Sequence, residues 1–281
     1  MDDQVKSREQ LIAELQEIRS AYDELKAMNE KEMAGFRLTR ADLVKAKEKV
    51  EQSDHYKTAF IASLSHELRT PLNGIIGLSQ ILLENENSDE DKQKMLHFIN
   101  KGAILLNSII IDLYQIAAFE AGRAVPVLSP VNVNGQLDYL FNFFKPDANL
   151  KGIGIFLEKP LTDEEATITS DKDKIHYVLK TLVNIAIKVT PAGSVTFGYR
   201  KKGDFLEFFV RNMGAGIGDE MKETVFEKFG WEEILLPYDY ELTGMGLAVS
   251  RSCVELLGGR IWVENGTDKG SVFYFTIPYR M

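Results

Sequence analysis

Between Phe60 and Leu83 the chain reads FIASLSHELRTPLNGIIGLSQILL, a run that leaves little choice of local structure. Ile61, Leu64, Leu68, Leu72, Ile75, Ser79 and Leu82 recur at steps of three and four. That spacing draws a single stripe down an α-helix and predicts one buried face. At about 100° per residue, His66 falls roughly 200° from Leu64, on the solvent side. Thr70 is one turn further along the same exposed face, and Glu67 is the histidine's direct neighbour. Pro71 lacks an N–H and crowds the carbonyl of Glu67, so a bend is expected beside the histidine. Taken alone, Thr70 reads as the cap of a helix starting at Pro71, and His66 as an ordinary surface residue.

Upstream, Leu11, Leu15, Ile18, Tyr22 and Leu25 alternate steps of four and three, which is a heptad seam. One set of seam positions continues as Asn29, Phe36, Leu43 and Val50; the other weakens to Glu32, Thr39, Ala46 and Ser53. No proline precedes Pro71, so one nearly continuous helix is expected from the N-terminus into the histidine run. A solvated stripe needs a partner, and a parallel homodimeric coiled coil supplies one, with Asn29 as a register-setting polar residue. The uneven seam suits two packings close in energy, through which an upstream sensor domain outside this chain would act on His66. After the polar turn Glu84–Asp89, capped by Ser88 or Asp89, a second helix carries Met95, Phe98, Ile99, Leu105, Leu106, Ile109, Leu113 and Ile116 and stops near Gly122. Two such hairpins bury both stripes as a four-helix bundle.

Pro126 and Pro130 mark a linker, and beyond it strands alternate with helices. Helices are expected over 134–145, 171–190 and 243–257, the last stopped by Gly258-Gly259. Strands are expected over 154–158, 166–169, 194–201, 205–211, 260–264 and 271–278, with Asn265-Gly266 in the final turn. A mixed sheet with helices on one face follows. The fold class is therefore α plus α+β: a coiled coil over 1–54, a helical hairpin over 55–123 and an α/β sandwich over 124–281. The net charge of −9 argues against nucleic acid as a partner. Cys253 is the sole cysteine, which excludes an internal disulfide and fits a cytoplasmic setting. No apolar run is read as approaching the ~20 residues that span a bilayer, so any membrane anchor would lie outside this chain.

Two glycine-rich loops stand beside regular elements. Asn212, Gly214, Gly216 and Gly218 follow a strand, where glycine lets backbone approach a flat ligand. Gly244 and Gly246 open a helix, whose free N–H groups favour phosphate. Each pair alone is a weak signal, because glycines more often mark turns.

The run SHELRTPLNGIIG resembles the phosphoacceptor box of sensor histidine kinases almost letter for letter. IIIDLYQIAAFEAG resembles the end of the second helix of their dimerisation and phosphotransfer domain. The order of the first glycine loop, VFEKF (Val225–Phe229), the second loop and LGGRIWVEN resembles their ATP-binding domain. The resemblance spans roughly Asp54 to the C-terminus. It implies a cytoplasmic kinase core, on its own or as the cytosolic part of a membrane-anchored receptor, that moves phosphate from ATP to His66 and on to a response-regulator aspartate. Glu67 then takes a proton from the imidazole, and Thr70 positions a water in the reverse, phosphatase direction. Resemblance implies ATP and Mg²⁺ as cofactors, with Asn184, Lys188, Asn212, Gly214, Gly216, Gly244 and Gly246 around the nucleotide.

Three positions depart from the family pattern. Ile185 stands where an asparagine usually binds Mg²⁺, and isoleucine offers no oxygen to a hard cation. Asn184 is adjacent but turned about 100° around the helix. A second frequent asparagine position is Thr181. Asn212 replaces an aspartate that accepts from adenine, and Leu242 replaces a glycine. The lid between Phe229 and Leu242 is short and carries Trp231, Tyr238 and Tyr240. Two alternatives follow: a kinase-impaired phosphatase or phosphotransfer scaffold with a degenerate nucleotide pocket, and a non-catalytic coiled-coil adaptor. His55, His97 and His176 are read as structural or surface residues.

Overall fold

The computed structural model describes residues 8–84, 88–214, 216–227, 245–266 and 270–280. The lid Phe229–Leu242, Gly244 and most of the turn after Glu84 lie outside them. So do the side chains of Thr39, Ala46, Val50, Ser53 and His55. The chain divides into two units, 1–62 and 63–281. The first is helical throughout its described part, and its seam residues Leu11, Leu15, Ile18, Tyr22 and Leu25 are all exposed.

Helix α1 is assigned over Arg8–Glu84 and runs through Pro71. Thr70 therefore caps no new helix; its hydroxyl donates to the His66 carbonyl at 3.2 Å. Helix α2 (Asp89–Glu120) starts at Ser88, whose Oγ accepts from the Asp91 amide at 3.2 Å. Three acidic residues in its first turn favour the same end. Among the described residues α2 is the one helix long and apolar enough to cross a membrane by length and composition, contrary to the expectation that no run approaches this. The reason is that α2 is apolar on several faces. Leu105, Ile109 and Ile116 are buried, while Leu96, Phe98, Ile104, Ile110 and Tyr114 remain exposed.

The remaining elements are β1 (Ser129–Asn132), α3 (Val133–Lys151), β2 (Gly154–Glu158), β3 (Thr167–Ser170), α4 (Lys172–Val189), β4 (Ser194–Lys202), β5 (Phe205–Met213), α5 (Met221–Thr224), α6 (Gly246–Leu256), β6 (Ile261–Asn265) and β7 (Gly270–Pro278). They form a five-stranded sheet of order β2-β4-β5-β7-β6 and a separate β1-β3 pair. Only β2 and β4 run parallel in the larger sheet; every other pair is antiparallel. Period-two alternation sends Val195, Phe197 and Tyr199 of β4, and Leu206, Phe208 and Val210 of β5, into the core. Phe208 stacks on its cross-strand partner Phe275, ring centroids 4.5 Å apart. The Tyr199 hydroxyl donates to Asn134, whose amide in turn reaches the Leu161 carbonyl and Asp163, so the buried polar atoms are paired.

The observed strands and helices match the expected mixed sheet, with two additions. The stretch around Pro130 is strand β1 rather than plain linker, which proline permits at the edge of a two-stranded sheet. The short α5 carries no helical periodicity long enough to show. Asp171 joins linker to sheet domain: it caps α4 through Asp173 and Lys174, and its other oxygen accepts from the Val127 amide at 2.8 Å.

Within the second unit, α2 meets α4 and α6 through polar side chains. Asp112 is 4% exposed, and the Tyr177 hydroxyl donates to it at 2.5 Å. Burial and the Asp112 carboxylate both push the Tyr177 phenol up, so it stays a donor. Cys253 of α6 contacts Gln115 at 3.7 Å, and burial raises its thiol to about 12. Tyr177→Phe removes a donor from a buried carboxylate and should cost about 1–3 kcal/mol. Because a protonated, buried thiol alkylates only when exposed, the variant should melt lower and react faster with iodoacetamide at Cys253. Unchanged alkylation and melting would show that this hydrogen bond does not hold the two helices together.

Candidate functional site

The histidine run places His66, Glu67 and Thr70 on one stretch of α1, with His66 and Thr70 exposed and Glu67 half-buried. Thr70's donation to the His66 carbonyl fixes its hydroxyl beside the histidine's own turn. Immediately after it the hairpin is tight: a Cβ on Gly102 of α2 would lie 3.1 Å from Ile75 Cγ1 and 3.5 Å from the Pro71 carbonyl. Gly102 thus lets α2 approach the proline turn that carries the exposed histidine face. Sequence reading missed it, since a glycine inside a helical pattern gives no sign of what it faces.

In the sheet domain the predicted nucleotide residues fall into two groups. Asn212 ends β5 on the covered face, 3% exposed, and its amide oxygen accepts from the Ser271 hydroxyl at 2.6 Å. The loop after it turns sharply. A Cβ on Gly214 would come within 2.9 Å of the Val189 carbonyl, and Gly216 has φ of +77°. The Ile217 amide donates to the Asn265 side chain at 3.0 Å, which braces this loop against the end of β6. Asn265 had been read only as a turn residue. Asn212, Asn265, Gly266 and Gly270 line a cleft of about 340 Å³. Gly246 is buried at the start of α6, where Met245 itself supplies no side-chain cap. Gly244 lies outside the described residues.

Asn184 and Lys188 belong to the second group. Both line a separate cleft of about 720 Å³ together with Phe143 and Leu150 near α3, and with Ile104 of α2. Tyr177, Thr181 and Ile185, spaced by four, share another face of α4. Ile185 is only 4% exposed. Asn184 and Lys188 thus line a cleft other than the one Asn212 lines; for Asn184 the 100° offset from its neighbour Ile185 accounts for this.

Comparison with known proteins identifies the class. Residues 56–122 match the His Kinase A (phospho-acceptor) domain, and residues 170–281 match the Histidine kinase-, DNA gyrase B-, and HSP90-like ATPase family. The chain belongs to the sensor histidine kinases of two-component systems. It is 32% identical over 262 residues to the sensor histidine kinase AruS of Pseudomonas aeruginosa, covering 91% of this chain and 25% of AruS. Its structure resembles full-length ShkA in complex with AMPPNP, with a TM-score of 0.59 and 27% identity, over 78% of this chain and 45% of ShkA. It likewise resembles ThkA in complex with the response regulator protein TrrA, with a TM-score of 0.59 and 25% identity, over 78% of this chain and 60% of that one. The chain spans about a quarter to a third of the length of the curated relatives it matches.

The family implies Mg²⁺ beside the nucleotide, and among the described residues the donor set does not fit it. Mg²⁺ demands oxygen ligands in near-octahedral geometry. Ile185 has none, Asn184 faces another cleft, and among the described residues no group of three or more His, Cys, Asp or Glu could hold a metal.

The Gly102 contact yields a direct test of the hairpin beneath His66. Gly102→Ala asks Ile75 to give by a few tenths of an ångström, whereas Gly102→Val should overpack the contact and cost about 1–3 kcal/mol. Thermal melts should rank wild type, Ala and Val in falling order. Equal melting of Val and wild type would show that the two helices are not held this closely.

Proposed function

We propose that this chain is the cytoplasmic signalling core of a homodimeric sensor kinase, in which His66 accepts phosphate from ATP and passes it to a response-regulator aspartate. The single observation that carries this reading is the exposed His66-Glu67-Thr70 face on a hairpin helix of a family member. An exposed imidazole is largely neutral and nucleophilic near pH 7. In the forward step a ring nitrogen attacks the γ-phosphorus. The N–P bond forms as the bond to the β,γ-bridging oxygen breaks, and ADP leaves with that electron pair. Glu67 takes the proton from the other ring nitrogen. The phosphoryl group then moves from nitrogen to a carboxylate of the receiver domain. Thr70 acts in the reverse direction by holding a water against the receiver's phospho-aspartate.

Adenine lies against Asn212, whose amide oxygen has a second lone pair beyond the one Ser271 uses. Gly214 and Gly216 allow close backbone approach, and Gly244 and Gly246 present amides to phosphate. Asn184 and Lys188, on the α3 side, receive no nucleotide contact in this reading. The domain division is 1–54 for a coiled-coil connector to an upstream sensor, 55–123 for dimerisation and phosphotransfer, and 124–281 for nucleotide binding. The exposed seam of the first unit and the exposed apolar residues of α2 support a second copy as partner. A second reading, a kinase-impaired phosphatase or phosphotransfer scaffold, is favoured by one observation: the buried Ile185.

Incubation with Mg²⁺ and γ-labelled ATP separates the two. Acid-labile, alkali-stable label on wild type and none on His66→Gln is the result expected of the kinase. An unlabelled wild type that still dephosphorylates a phospho-receiver would establish the second reading instead.

A further inference from the structure

We infer that this chain binds its nucleotide with no divalent cation bridging phosphate to α4. The inference rests on the assignment above of the loop after β5 and the start of α6 to the nucleotide. It concerns what neutralises the phosphates there.

A divalent ion that bridges nucleotide and protein is held by one or two protein oxygens plus the phosphates. On α4 the face shared with Tyr177 offers few such atoms. The Tyr177 hydroxyl is committed to Asp112 at 2.5 Å, and the Thr181 hydroxyl is engaged with Tyr177. Next along that face is the hydrocarbon of Ile185, 4% exposed. The nearest amide oxygen, on Asn184, belongs to a side chain lining the other cleft. Moving it into place would require rotating the helix by about 100°, against a row of buried Ile175, Val178, Leu179, Leu182, Val183 and Ala186. At the base end Asn212 brings an amide where a carboxylate would have brought charge. Among the described residues, backbone is what this region offers phosphate: the first-turn amides of α6, where Met245 itself supplies no side-chain cap. Such donors bind phosphate oxygens directly, with or without a cation on the nucleotide.

The test is a titration of the full chain with fluorescent ADP, in excess EDTA and in excess Mg²⁺. Affinities within about twofold of each other are expected, since no protein ligand distinguishes the two forms. Ile185→Asn restores an oxygen and should make binding about tenfold tighter in Mg²⁺ than in EDTA. A wild type that already tightens about tenfold with Mg²⁺ overturns the inference while leaving the nucleotide assignment standing. Absence of binding in both buffers overturns the assignment itself, and the inference with it. Should Ile185→Asn fail to fold, the wild-type comparison decides alone.

Discussion

One helix has to satisfy several packings at once, and the rest of the second unit is arranged around how α2 does so. Its middle lies against the proline turn of α1, close enough that residue 102 has no side chain. About three turns further towards its C-terminus, it meets the sheet domain through Asp112 and Gln115. Its remaining apolar residues, Ile104, Ile110 and Tyr114 among them, stay exposed. These demands explain a composition that by hydropathy alone suits a membrane span. They also explain the one carboxylate among its buried residues. Burying a carboxylate without a donor would cost several kcal/mol, and the Tyr177 hydroxyl supplies one to Asp112. A hydrocarbon at residue 112 would pack with any orientation of the neighbouring helix, whereas a carboxylate favours the one that presents a donor.

The sheet domain is built on different logic. Its core is an aromatic ladder across β4, β5 and β7, with Phe208 on Phe275 at its centre, and alternation fixes which residues enter. The catalytic half of such a fold must then hang irregular loops on this rigid base. Here the loop after β5 is held by three contacts that involve no ligand: Gly214 against the Val189 carbonyl, Ile217 on Asn265, and Asn212 on Ser271. The loop is thus shaped by the protein itself, which is the condition for a preorganised site.

Most regular elements were legible because their signals are local. Period-two runs gave β4, β5 and β7 within one or two residues, and the helix expected over 171–190 matches α4 to one residue at each end. The exposed histidine face followed from helical spacing alone. What escaped was non-local. Gly102 means nothing until Ile75 is opposite it, and Asn265 is a turn residue until the Ile217 amide reaches it. Asp112 and Tyr177 are separated by 65 residues. β1 was hidden for another reason: Pro130 argues against a strand unless its partner is known to be a lone antiparallel edge. The placement of Asn184 was a matter of angle, and the helical period already warned that it could not stand in for its neighbour.

The two halves of the chain differ in what their unusual residues do for folding. His66 and Thr70 stand exposed on α1, with Glu67 half-buried between them, so packing gives little reason for the identity of the two exposed residues. Ile185 is the opposite case. Burying an isoleucine side chain contributes roughly 1.5–3 kcal/mol, whereas a buried asparagine needs partners for both its amide groups. With a cation present, a metal ligand and a coordinated phosphate would offset that cost; with none, isoleucine is the more stable choice at a site walled by Leu182, Val183 and Ala186. A residue that repays its position only through a ligand has been exchanged for one that repays it through the core. The exposed side chains of His66 and Thr70 offer no comparable gain from burial. Stability can therefore account for the change on α4, and it has no means of accounting for the retention of His66 and Thr70.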